Sequence, residues 1–237
     1  MKKLILSIAL CCAATNFFAQ NADPAQLVND GKAALEAKNY QEAYTKFSTY
    51  LTQTNNQDSV IAYNCGVCAD KIKKPAEALK YFDIAVQKKY NLANAYIGKA
   101  GALKDLKKND EYVATLKEGL EANPGNKTLT KLYATYYVNQ GIMAQKAKKM
   151  DAAEEAFKQA IAIQADNVNA LNSLGSLYYS KGANIMKTDV EKAKVEFKEA
   201  KEYLDKLIPL LSADKPAQKK MMDNAKTMLN FIDSQVK

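Results

Sequence analysis

The chain has 237 residues, of which 48% are hydrophobic and 25% charged, with a formal net charge of +8 carried wholly by lysine. It contains no His, no Trp and no Arg. That excludes Ser-His-Asp triads, His-Glu-x-x-His zinc sites, Cys-His pairs and bidentate guanidinium recognition of phosphate, carboxylate or guanine. Nine Gly and five Pro leave little room for a turn-rich all-β fold, and abundant Ala, Lys, Leu and Glu favour helix.

Residues 1–20 read as a secretory signal peptide. Lys2 and Lys3 form the charged start, Leu4–Ala14 a short apolar run, and cleavage is expected beside Gln20. The run is too short for a stop-transfer helix. Cys11 and Cys12 raise the question of lipidation, but a lipobox needs a small residue before its Cys, and Leu10 stands there. An exported protein of the periplasm or cell surface is expected, with no transmembrane segment elsewhere.

From Asn21 onward the sequence reads as helix pairs. The first spans about 24–56, with Leu27 and Gly31 on one helix and Tyr40, Ala43 and Phe47 on the next. The second spans 59–91, with Gly66 and Ala69, then Ala78, Phe82 and Ala85; Pro75 sits just inside a helix start, where its missing N–H costs nothing. The third spans 92–124, with Tyr96, Ala100 and Leu103, then Tyr112, Leu116 and Gly119. Pro124-Gly125-Asn126 ends it. Asp58, Asn91, Asn126 and Asn167 each precede a first helix as favoured N-caps.

The fourth pair, 127–165, carries Tyr133, Ala134 and Tyr137, then Ala153, Phe157 and Ala160. The gap between the sets is about seven residues longer than before, or about two helical turns. This predicts a longer first helix, running through Gly141-Ile142-Met143-Ala144. The fifth pair, 167–212, carries Leu174, Gly175 and Tyr178, with a late second helix marked by Ala200, Leu204 and Leu207. Pro209 kinks or ends that helix. A last helix, 216–234, sets Met221, Met222, Ala225, Met228, Leu229 and Ile232 on one face and Lys219, Lys220, Asp223 and Lys226 away from it. That suits a terminal cap over an open end, or a Met-rich face for self-association.

Between Asp151 and Tyr179 the order is Ala-x3-Phe, a turn, then Leu-Gly-x2-Tyr. This resembles the tetratricopeptide repeat (TPR) family, over nearly all of residues 24–212. The resemblance implies an all-α, TPR-type α-solenoid of helix hairpins with a C-terminal capping helix, here in an exported bacterial TPR protein. It implies a concave groove lined by first helices, where a protein or peptide partner lies. Carried residue by residue, the groove positions are Val28 and Lys32, Tyr63 and Val67, Asn94 and Ile97, Lys131 and Thr135, and Asn172 and Tyr179. Lys32, Tyr63, Asn94, Ile97, Lys131, Asn172 and Tyr179 are the candidate binding residues. Family members that hold a C-terminal carboxylate for chaperone docking use a Lys/Asn/Arg set that this chain does not show.

Catalysis is not expected. Cys65-Gly66-Val67-Cys68 has the spacing of a redox pair, yet it falls inside a helix rather than at a helix N-terminus, and Cys65 takes a core slot. Two thiols alone cannot complete a zinc site. No Gly-rich nucleotide loop is present, and no Ser or Tyr has a His base. Lysines alternate with acids, as in KKPAEALKYFD, which describes a solvated helix face rather than a nucleic-acid patch. No cofactor, metal or nucleic acid is expected. The function expected is a non-catalytic binding scaffold or adaptor of the cell envelope. The alternatives are a self-assembling structural scaffold or a thiol-disulfide protein using Cys65 and Cys68.

Overall fold

The computed structural model describes residues 22–235; the predicted signal peptide and the Cys11-Cys12 pair lie outside them. The described residues form α-helices joined by short turns, with no strand among them. They divide into two compact units, with the boundary after Leu129.

The first unit contains α1 (Pro24–Glu36), α2 (Tyr40–Gln53), α3 (Ser59–Lys71), α4 (Pro75–Gln87), α5 (Leu92–Asp105) and α6 (Asn109–Ala122). Each helix packs on the next in the chain, and α3 also touches α5. The seam of each hairpin is an aromatic ring set on a residue without a side chain. The Phe47 ring is fully buried against Gly31, where an added Cβ would sit 2.4 Å from it. Phe82 is held between Gly66 and Gly98, at 3.0 and 2.4 Å by the same measure. In the third hairpin the places are exchanged: Gly119 of α6 lies against Tyr96 of α5, 2.9 Å from a would-be Cβ, and Ala100 and Leu116 are fully buried.

Helix ends follow the capping chemistry in part. Asp58 accepts from the backbone N–H of Val60 and Ile61 at 2.9 and 3.0 Å. Asn126 accepts from Thr128 and Leu129 at 3.1 and 3.0 Å. Asn91 departs from expectation. It sits in the left-handed region at φ 43° and makes no side-chain cap, its Oδ1 accepting instead from the Asn94 amide at 2.9 Å. The hairpin turns hold a feature the sequence reading lacked. Lys38, Lys73 and Lys107 take φ of 59°, 59° and 60°, where glycine is the usual residue. Each turn closes by backbone bonds such as Asn39 N–H to Ala34 O at 2.8 Å.

The second unit contains most of α7 (Lys127–Lys146), then α8 (Met150–Ile163), α9 (Val168–Ile185), α10 (Val190–Leu207) and α11 (Pro216–Gln235). Its register corrects two sequence expectations. The fully buried Phe157 lies against Gly141, 2.4 Å from a would-be Cβ, so Gly141 rather than Ala134 is the glycine of that hairpin. The added turns of α7 therefore precede the ring contact. Likewise α10 begins at Val190, with Ala193, Phe197 and Ala200 buried as its first contacts and Phe197 set on Gly182 at 2.7 Å. The predicted markers Leu204 and Leu207 come one and two turns further on, and Leu204 packs over Gly175 at 2.6 Å. Lys148 and Lys149 repeat the lysine turn, with Lys148 at φ 59° and Lys149 at an N-cap without a side-chain bond.

A 3-10 turn, Ile208–Leu210, carries Pro209 and ends α10. Ala225, Leu229 and Ile232 of α11 are buried, while Met221, Met222, Met228 and Phe231 pack partly covered against the same core. Lys219, Lys220, Asp223 and Lys226 are exposed. The methionine-rich face thus lies on the unit's own core, and an ion pair between Lys201 and Asp233 at 2.9 Å ties α11 to α10.

Candidate functional site

Two chemical readings can be judged from geometry. Cys65 and Cys68 are both fully buried, free thiols inside α3. Burial pushes both thiols up, Cys68 to about 11, so neither offers a thiolate at neutral pH. The Cys65 thiol points at the backbone carbonyl of Tyr44, 3.9 Å away. Among the described residues no group of three or more Cys, Asp or Glu could hold a metal ion, and no helix is long and apolar enough to cross a membrane.

In the first unit, the first helix of each hairpin presents the residues marked from sequence. Lys32 of α1 and Asn94 of α5 are exposed, and Ile97 is half-buried. Tyr63 of α3 is more constrained than a free binding residue. Its ring meets Phe82 and Tyr90 edge-on at centroid distances of 5.9 and 5.8 Å. Burial first, then the neighbouring Tyr90, raises its phenol pKa. The contact between α3 and α5 brings Tyr63 and Ile97 onto adjacent helices.

In the second unit the stripes are longer. Lys131, Thr135, Val138, Ile142 and Lys146 recur at helical spacing on α7, and Asn172, Ser176, Tyr179 and Ala183 do so on α9. Lys131, Thr135, Ile142, Lys146 and Ala183 are exposed, Asn172 is half-buried, and Val138 is buried in the core that α9 helps build. Tyr179 is packing as much as surface: its ring lies 5.9 Å from Phe197 and 5.6 Å from Phe231 of α11. The stripe marked from sequence ends before Ile142, Lys146 and Ala183, which continue it on the same helices. A signal was available. Gly141 precedes Phe157 by the same spacing that separates Gly31 from Phe47 and Gly66 from Phe82.

The charges of this unit are sorted by helix. The first helices α7 and α9 carry Lys127, Lys131, Lys146 and Lys181 and no Asp or Glu. The helical acids sit on α8, α10 and α11, with Asp166, Asp189 and Asp214 between helices. Lys181 is engaged with Glu154 of α8, whose other oxygen accepts from the Tyr178 hydroxyl at 2.6 Å and from Lys158 at 2.7 Å. Burial alone would raise the Glu154 carboxyl, but these three donors outweigh it and hold its pKa at about 2. Tyr178 also stacks on Tyr203 at 5.7 Å. This cluster joins α8, α9 and α10 and was invisible in sequence, because its members are far apart in the chain. Lys127, Lys131 and Lys146 have no carboxylate within ion-pair distance among the described residues.

No family model and no curated protein matches the chain. Among solved structures, it is similar to a TPR repeats protein from Bacteroides fragilis. The two are 48% identical over 87% of this chain and 99% of that one, with a TM-score of 0.70. It is also similar in fold to YrrB, described as a TPR protein with an unusual peptide-binding site. There the identity is 16% over 86% of this chain and 92% of that one, and the TM-score 0.52.

Proposed function

Because the chain belongs to the tetratricopeptide repeat family, we propose that it is a non-catalytic scaffold or adaptor of the cell envelope that holds an extended protein or peptide segment on its first helices. The observation that carries this reading is the repeated stripe. Within each unit, first helices turn polar side chains outward: Lys32 and Asn94 are exposed in the first unit and Lys131 in the second. Asn and Lys can hydrogen-bond a peptide backbone, and the half-buried Ile97 and Asn172 add contact area. Rigid helices make such a row a low-entropy platform. YrrB carries a peptide-binding site on the same fold, which supports the reading by analogy.

The envelope location rests on the leader read from Lys2, Lys3 and the apolar run Leu4–Ala14. Self-assembly through α11 has less support, since Met221, Met222 and Met228 pack on the core of their own unit. The test is affinity capture from envelope and cytosolic fractions, followed by peptide-level cross-link mapping. A partner taken from the envelope and cross-linked to first helices, and reduced by Lys32→Glu with Asn94→Ala, supports the scaffold reading. Capture unaffected by these changes and cross-links confined to second helices would refute the site. Finding the protein with its leader intact in the cytosol would refute the location.

A further inference from the structure

Resting on the scaffold reading, we infer that the α7–α9 surface of the second unit selects a peptide segment that is both acidic and apolar. The argument is charge complementarity joined to exposure. A soluble helix ordinarily mixes acids with its lysines, as α8 and α10 do here. In α7, twenty residues long, and α9, eighteen residues long, there is no acid at all. Lys131 and Lys146 stand at the two ends of the α7 stripe, both exposed and both without a carboxylate partner among the described residues.

Between the two lysines the stripe is apolar or neutral. Ile142 is 37% exposed. Across on α9, Asn172 and Ala183 add a hydrogen-bonding amide and an open, flat position. From Lys131 to Lys146 is fifteen residues of helix, about 22 Å, a span covered by about seven residues of extended peptide. An occupant with a carboxylate near each end and apolar side chains between them would match the row. The exposed Ile142 between two unpaired cations offers such an occupant its apolar contact. Nucleic acid fits less well, because the row lacks arginine and ends in two isolated lysines rather than a continuous basic track.

The experiment uses the purified protein and fluorescein-labelled twelve-residue peptides of repeating Ser-Leu-Glu, Ser-Leu-Lys and Ser-Ser-Glu, read by fluorescence anisotropy. The Ser-Leu-Glu peptide is expected to bind at least tenfold more tightly than either control. Lys131→Glu with Lys146→Glu should cost it at least tenfold and shift preference towards Ser-Leu-Lys, and Ile142→Ser should weaken it severalfold. Lys131→Gln with Lys146→Gln, a milder pair, should give an intermediate loss, and unchanged circular dichroism would show that every variant is folded. Equal binding of the three peptides, or full affinity in the charge-reversed protein, would overturn the inference. So would a DNA duplex that binds as tightly as Ser-Leu-Glu and loses affinity in the same variants. If envelope partners are still captured on first helices while the peptide preference is absent, only this inference fails. If no partner is captured there, the scaffold reading fails.

Discussion

A single methyl group, placed at two glycines, should move stability in opposite directions. At Gly141 an added Cβ would lie 2.4, 2.6 and 2.7 Å from three atoms of the Phe157 ring. Those distances are far inside van der Waals contact, and the ring is fully buried, so it has no open space to swing into. Overpacking of this kind costs about 1–3 kcal/mol. Replacing a helical glycine by alanine returns about 1 kcal/mol of backbone entropy and propensity. The net for Gly141→Ala is a loss of about 0–2 kcal/mol. Gly101 lies mid-helix in α5, is exposed, and has nothing within 4 Å of a would-be Cβ. There only the propensity gain remains, about 0.5–1 kcal/mol. Urea denaturation followed by circular dichroism would read both as shifts of midpoint, and Phe157→Leu added to Gly141→Ala should recover part of the loss. Equal shifts of one sign for the two alanine variants would refute the ring-on-glycine account of how these hairpins close.

Other consequences are equally concrete. Lys107 holds φ 60°, and a side chain there costs about 1 kcal/mol relative to glycine; Lys107→Gly should raise the unfolding midpoint, and Lys149→Ser, which supplies the missing cap of α8, should raise it by a similar amount. Glu154→Gln should destabilise the fold by about 1–3 kcal/mol at neutral pH, because three donors lose their charged acceptor. Since the Glu154 carboxyl falls from an ordinary 4.5 to about 2 on folding, its contribution is complete above pH 4.5 and fades as pH drops towards 2; acid titration of stability should show this loss in the parent protein and a smaller one in the Gln variant. Cys65 and Cys68 should resist maleimide labelling in the native state and react at once in denaturant; fast native labelling would contradict their burial.

The hairpin architecture was legible because its message is local. Ala153, Phe157 and Ala160 share a face by spacing alone, and the same spacing names Ala43 and Phe47 or Ala78 and Phe82. What escaped was any contact between distant stretches. Ala134 and Gly141 are seven residues apart and lie on nearly the same face, so helical periodicity alone could not choose which met Phe157; the spacing shared with Gly31 and Phe47 pointed to Gly141, and the ring settled it. Tyr63 and Tyr179 were rightly put on first helices, but their engagement with Tyr90 and Phe231 depends on how neighbours stack. The lysine turns escaped for a chemical reason. A left-handed helix end announces itself by glycine or asparagine, and Lys38, Lys73, Lys107 and Lys148 give no such sign.

The place where α7 is lengthened carries a wider lesson. Its extra residues lie upstream of Gly141, and one heptad rotates a straight helix by only about 20° from register. A hairpin can therefore grow by whole heptads while the ring keeps its partner and the aligned outer row simply extends. Reach along a bound chain and cohesion of the stack become separate quantities, each adjustable without rebuilding the other.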